Sequence, residues 1–185
     1  MPGTLKDQKF DALFEMFDRE GQGYLTRERF FRFAEGIAGL TPRADNENAA
    51  AVRAAFEKWW KLLVPSGGSG PDTRIDRQEF ISRMRSLVSS RANLDDAVLA
   101  IADALMRALD RNKNGTLGLD EYRRIYTHVG VDTADCEEAF RRLDRDDDGR
   151  IRHEEWREAL REFFLSDDAD APGNQLLGPL PPPAR

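Results

Sequence analysis

The chain is poor in the residues that most often carry chemistry. It has one cysteine, Cys136, among 185 residues. No disulfide can close within it, which fits a reducing compartment. Histidine occurs twice, at His128 and His153, and neither has a nucleophile near it in sequence. Cys136 shares an apolar helical face with Phe140 and Leu143, the setting of a core thiol. No enzymatic activity is therefore expected. No apolar run approaches the ~20 residues needed to cross a bilayer. The segment Met1 to Asp7 lacks the basic cluster and apolar stretch of a signal peptide. A cytoplasmic location with no membrane partner is the expectation. Bases are outnumbered, 28 Lys and Arg against 34 Asp and Glu, for a formal charge of −6. That balance speaks against nucleic acid as a partner.

Apolar residues are not scarce. They make up 40% of the chain, with 11 Phe and 3 Trp, enough for a packed core. Their spacing is helical almost throughout. Phe10, Leu13, Phe14 and Phe17 stand at i, i+3, i+4 and i+7, one face of a helix. Phe30 to Ile37, Val52 to Leu63, Phe80 to Val88 and Leu94 to Leu109 repeat the pattern. Tyr122 to Val129, Cys136 to Leu143 and Trp156 to Phe164 complete it. Eight helices in four pairs follow, with no period-2 strand. Thr26, Asp45 or Asn46, Asn93 and Thr133 suit N-caps. Gly39 and Gly130 suit helix ends. Pro65 to Pro71 is too rich in Gly and Pro for helix. Ser89 to Asn93 is a polar joint. The expected divisions are 1–90, 91–165 and a Pro-rich tail, 166–185. Such a tail usually stays disordered, although Leu176, Leu177 and Leu180 give it a means of docking.

Each helix pair encloses a polar loop, and two of these loops carry complete ligand sets. Calcium takes six to eight oxygens at ~2.3–2.6 Å, and the pattern D-x-[DN]-x-[DN]-G-x5-E supplies them from one turn of chain. The loop from Asp110 offers Asp110, Asn112 and Asn114, the carbonyl of Thr116, and Glu121 with both oxygens. Gly118 has no side chain, so water fills the ninth position. The loop from Asp144 offers Asp144, Asp146 and Asp148, the carbonyl of Arg150, and Glu155. Arg152, its ninth residue, is no ligand, so water is expected there too. Leu117 and Ile151 occupy the eighth positions, where paired loops join by a short β-bridge. The Asp110 loop brings two carboxylates and the Asp144 loop four, which predicts tighter binding at the latter.

The N-terminal loops repeat this design with defects. Asp18 to Arg29 keeps the first acid, the glycine Gly23 and the aliphatic Leu25. Its twelfth residue is Arg29, and a guanidinium donates hydrogen bonds without offering an oxygen. Arg29 is expected to stand in for the ion's charge, so no third calcium is expected there. The second loop is anchored by Ile75 and Glu79 at its eighth and twelfth positions. Counting back puts Gly68 first and Gly70 third, which leaves no ligand set. Ile75 is positioned to bridge to Leu25.

Four such units, with Trp59-Trp60 ahead of a degenerate second loop, resemble the sarcoplasmic calcium-binding proteins and their calerythrin-like bacterial relatives. The resemblance implies an all-α fold of two paired lobes packed compactly, with short β-bridges between paired loops. It implies a monomeric cytosolic calcium buffer or signal modulator whose C-terminal extension packs on the body. The family usually keeps the first site, which Arg29 alters here. Some relatives hold a luciferin in the interior, and no residue here specifies one. The competing expectation is a calcium sensor that opens an apolar groove for a partner protein. Sensors of that kind use Met-rich grooves, and this chain has 4 Met.

Overall fold

The computed structural model describes residues 4–42, 45–64, 73–90 and 98–180. Their order is α1 (Leu5–Phe17), β1 (Tyr24–Thr26), α2 (Arg27–Ala38), α3 (Asn46–Leu63), β2 (Arg74–Asp76) and α4 (Arg77–Ser89). Then follow α5 (Ala100–Leu109), β3 (Thr116–Leu117), α6 (Leu119–Val129), α7 (Thr133–Leu143), β4 (Ile151–Arg152), α8 (His153–Leu165) and a 3-10 turn, Pro172–Gln175. The fold is all-α, as the periodicity implies, with paired bridges at the eighth positions of the loops. Asn93, Leu94 and the Pro65–Pro71 insert lie outside the described residues.

The helices begin where short polar side chains can take up free N–H groups. Thr26 Oγ1 accepts from the Arg29 N–H, and Asp45 Oδ1 from the Asn48 N–H. Asp76 Oδ1 does the same for Glu79. At α7 the cap is Asp132, one residue before the expected Thr133, and it accepts from the Ala134 N–H. An Asp carboxylate one position earlier reaches the first turn, so Thr133 becomes the first helical residue. Gly130 ends α6 in the left-handed conformation.

Two antiparallel bridges tie the loops in pairs. Leu25 faces Ile75, and Leu117 faces Ile151. All four side chains are fully buried. An aliphatic residue in each loop thus anchors its strand in the apolar interior, and the strand fixes two helices relative to one another.

The core is one contiguous cluster running through both halves of the chain. Phe17, at the end of α1, lies within 4.9 Å of Phe30 and Phe33 and 5.6 Å of Trp59, centroid to centroid. Trp156 is fully buried and donates its indole N–H to the Ala102 carbonyl at 2.9 Å. That bond links α8 to α5. Cys136 is buried, and burial pushes its thiol up to about 11.

Helices α1 and α8 meet through an unusual group. Lys9 is wholly buried, and its ammonium donates to the carbonyls of Glu162 (3.0 Å) and Ser166 (2.8 Å). These carbonyls belong to the end of α8, where intrahelical donors run out.

The segment after α8 packs on the body as far as Leu180 instead of remaining free. Leu176 is buried, and its carbonyl accepts from the Tyr122 hydroxyl at 3.0 Å. The Tyr126 hydroxyl donates to the Gln175 carbonyl at 2.6 Å. Gly173 donates its N–H to Glu162 Oε2, and a Cβ there would lie 2.2 Å from the Ala159 carbonyl oxygen. Only glycine allows the turn to approach α8 this closely.

Candidate metal sites

Three loops share one backbone construction. In each, the first aspartate turns both oxygens inward onto N–H groups four and five residues later. Asp110 accepts from Asn114 (3.1 Å) and Gly115 (2.8 Å). Asp144 accepts from Asp148 (3.1 Å) and Gly149 (2.8 Å). Asp18 accepts from Gln22 (3.1 Å) and Gly23 (2.6 Å). The sixth residue has φ of +80° in all three: Gly23, Gly115 and Gly149. The fourth also has positive φ, at Gly21, Lys113 and Asp147. A left-handed backbone disfavours a side chain by roughly 1–2 kcal/mol. The two non-glycine residues there are held by the hydrogen bonds on either side.

The twelfth residue separates the loops. Glu121 accepts from the N–H groups of Arg111 (2.9 Å) and Gly118 (3.1 Å). Glu155 accepts from those of Arg145 (2.9 Å) and Arg152 (2.8 Å). Each glutamate closes its loop by joining the loop's entrance to the start of the exiting helix. Asn112 and Asn114 also turn oxygens onto loop N–H groups, at 3.0 and 2.9 Å. In the fourth loop one carboxylate oxygen each from Asp144, Asp146 and Asp148 lies within 4.8 Å of the others. Such converging hard oxygens suit a divalent cation of the calcium type. The described residues therefore fit the metal that the motif implies. Thr116 lies on β3 and Arg150 immediately precedes β4, and the Arg150 guanidinium reaches Thr116 Oγ1 at 3.3 Å.

In the first loop the corresponding position holds a guanidinium. Arg29 Nη1 donates to Asp18 Oδ1 at 3.1 Å and to the Tyr24 carbonyl at 3.4 Å. Its Nη2 donates to Glu20 Oε2 at 2.8 Å. These acceptors are the first, seventh and third residues of the loop, the places from which the other loops offer oxygen. Arg32 holds the second oxygen of Glu20. In the second loop Asp76 serves as a cap, and the Glu79 carboxylate pairs with Arg83. Residues 68–72 of that loop lie outside the described residues.

The fourth loop carries an arginine that motif matching leaves unexplained. Arg152 bridges Asp146 and Asp148, one guanidinium nitrogen to each. The two carboxylates raise its affinity for its own proton. The signal in the sequence is a long cationic side chain at the ninth position, facing two acids in alternate positions.

An EF-hand domain-pair model matches residues 1–37 and 71–129, more than half of the chain. A single EF-hand model matches 135–166. This chain belongs to the EF-hand family. It binds calcium through EF-hands. Calerythrin of Saccharopolyspora erythraea is 24% identical over 168 residues, covering 89% of this chain and 95% of its own. The sarcoplasmic calcium-binding protein beta chain of Penaeus sp. is 21% identical, covering 89% and 91%. The crystal structure of n-aequorin superposes with a TM-score of 0.76 at 19% identity, covering 96% of both chains. At that identity the likeness extends to the fold alone.

Proposed function

We propose that this EF-hand protein holds two calcium ions, in its Asp110 and Asp144 loops, and serves as a calcium buffer or signal modulator of the cytoplasm. The carrying observation is Arg29, which already bonds three groups of the first loop that face a cation's position. The C-terminal loops instead close on Glu121 and Glu155. The ligands are Asp110, Asn112, Asn114, Glu121 and the Thr116 carbonyl in one site. In the other they are Asp144, Asp146, Asp148, Glu155 and the Arg150 carbonyl.

Buffering is favoured over sensing by the apolar surface. Among the described residues the exposed large hydrophobics are Leu62 and Leu165. A target groove would have to open within a core that runs through both halves. The packed tail, with Leu176 buried, supports a place near the sarcoplasmic and calerythrin-like proteins. A stored luciferin is disfavoured by size. The apolar cavity between the halves, lined by Phe17, Trp59, Trp156 and Phe164 among others, is about 50 Å³. Sites for drug-sized ligands run to roughly 300–1,000 Å³. Enzymatic activity and self-association form no part of this reading; among the described residues Cys136 is buried and His153 pairs with Asp103 at 2.8 Å.

A calorimetric calcium titration tests the count. Two ions should bind per chain, and Glu155→Gln should remove one. Three ions in the parent, or two unchanged sites in the variant, would refute the assignment. A dye for exposed apolar surface separates the roles, since a large calcium-dependent rise would favour the sensor.

A further inference from the structure

Four carboxylates in the fourth loop imply the stronger calcium site, but that count omits the cation already present. We propose that Arg152 is an internal, displaceable cation that competes with calcium for the fourth loop. The inference rests on the assignment of the Asp144 loop as a calcium site.

The placement of Arg152 fits this role. Its backbone is fixed on two sides. It pairs with Thr116 across the β3–β4 bridge, and its N–H donates to Glu155 Oε2 at 2.8 Å. Its side chain is half exposed and extends back along the loop to Asp146 and Asp148. Both acids are among the three whose oxygens converge. A calcium ion and the guanidinium therefore compete for the same two carboxylates. Only the side chain has to swing into solvent, and the bridge and the helix cap stay intact.

The contrast with Arg29 separates a competitor from a fixture. The Arg29 side chain is 13% exposed, against 54% for Arg152. It also reaches a loop carbonyl as well as two acids. Arg29 replaces the ion, whereas Arg152 neutralises the loop until the ion arrives. The third loop has no counterpart, because its ninth residue is Gly118 and bears no side chain. Of its two cations, Arg111 and Lys113, the second turns outward to Asp45 at 3.3 Å. The two C-terminal sites therefore differ less in affinity than their carboxylate counts of two and four suggest.

The test compares Arg152→Gln with its parent in a Glu121→Gln background, so that only the fourth loop is titrated. A divalent ion about 6 Å from a unit charge in a water-like medium is opposed by about a factor of ten in binding. Arg152→Gln should therefore bind calcium at least roughly tenfold more tightly, with Arg152→Lys between the two. Without calcium the same variant should unfold at lower urea, because its carboxylates lose their neutralising charge. Opposite signs mark competition, since a merely structural role would lower both affinity and stability. Equal or weaker binding by Arg152→Gln, with the parent still binding, overturns the role of Arg152 alone. No binding by either protein overturns the loop assignment, and this inference with it.

Discussion

Arg29→Glu should exchange a built-in cation for a bound one. The Arg29 side chain is 13% exposed and its partner Asp18 3% exposed, so the pair is largely shielded from water. Removing one partner of a buried pair costs about 3–5 kcal/mol, because the other charge is left unpaired. The Glu20 arm is half exposed, and such exposed pairs contribute ~0–1 kcal/mol. The low end, about 3 kcal/mol, is the expected loss without metal. A glutamate at this position also brings a third carboxylate to Asp18 and Glu20, which deepens the loss in chelator. It restores the oxygen set of the motif as well. Calcium at a hundred times its dissociation constant would return about 2.7 kcal/mol. Urea unfolding in chelator and in calcium, beside a calorimetric count, reads both effects. The variant should unfold earlier than the parent in chelator, approach it in calcium, and take up one more ion. Arg29→Gln should show a loss in chelator with less recovery. A glutamate variant as stable as the parent in chelator would refute the claim that the guanidinium neutralises this loop. So would an unchanged ion count with no recovery.

Burial holds the Lys9 ammonium down to about 8, from an ordinary 10.5. The unfolded chain then binds the proton more tightly, so stability should rise with pH between about 8 and 10.5, by roughly 3 kcal/mol at most. Below pH 8 the cost of burying the charge is fully present. Urea midpoints across this range check it, and Lys9→Met should flatten the rise. A parent curve flat over that range would show that the ammonium is not destabilised by its burial. Ending the chain after Leu165 uncovers the Leu176 site and strips the Tyr122 and Tyr126 hydroxyls of their acceptors. Losing one buried leucine and two buried acceptors should cost about 3–6 kcal/mol and raise the binding of an apolar dye. An unchanged unfolding midpoint would mean that the tail contributes nothing to the core.

The candidate sites were legible because their information is local. A calcium loop draws its ligands from twelve consecutive residues, so Asp110 to Glu121 and Asp144 to Glu155 declare themselves by spacing. The β-bridges were equally readable, since Leu25, Ile75, Leu117 and Ile151 each stand at a fixed place in a loop. Helical periodicity supplied the elements for the same reason. The α7 cap was missed by one residue because Asp132 and Thr133 are both good caps, and only the chain's entry direction chooses between them.

The sequence by itself thus determined the all-α class, the pairing of loops and the two complete ligand sets. Tertiary structure decided what fills the space beside those ligands. It placed the Arg29 guanidinium on Asp18, Glu20 and the Tyr24 carbonyl, and that of Arg152 across Asp146 and Asp148. It put Lys9 at the end of α8, more than 150 positions away. It also seated the tail on Tyr122 and Tyr126. Periodicity constrains which face of a helix is apolar. The reach of a long cationic side chain, and the docking of a short proline-bearing segment, depend on surfaces that exist only once the helices have packed.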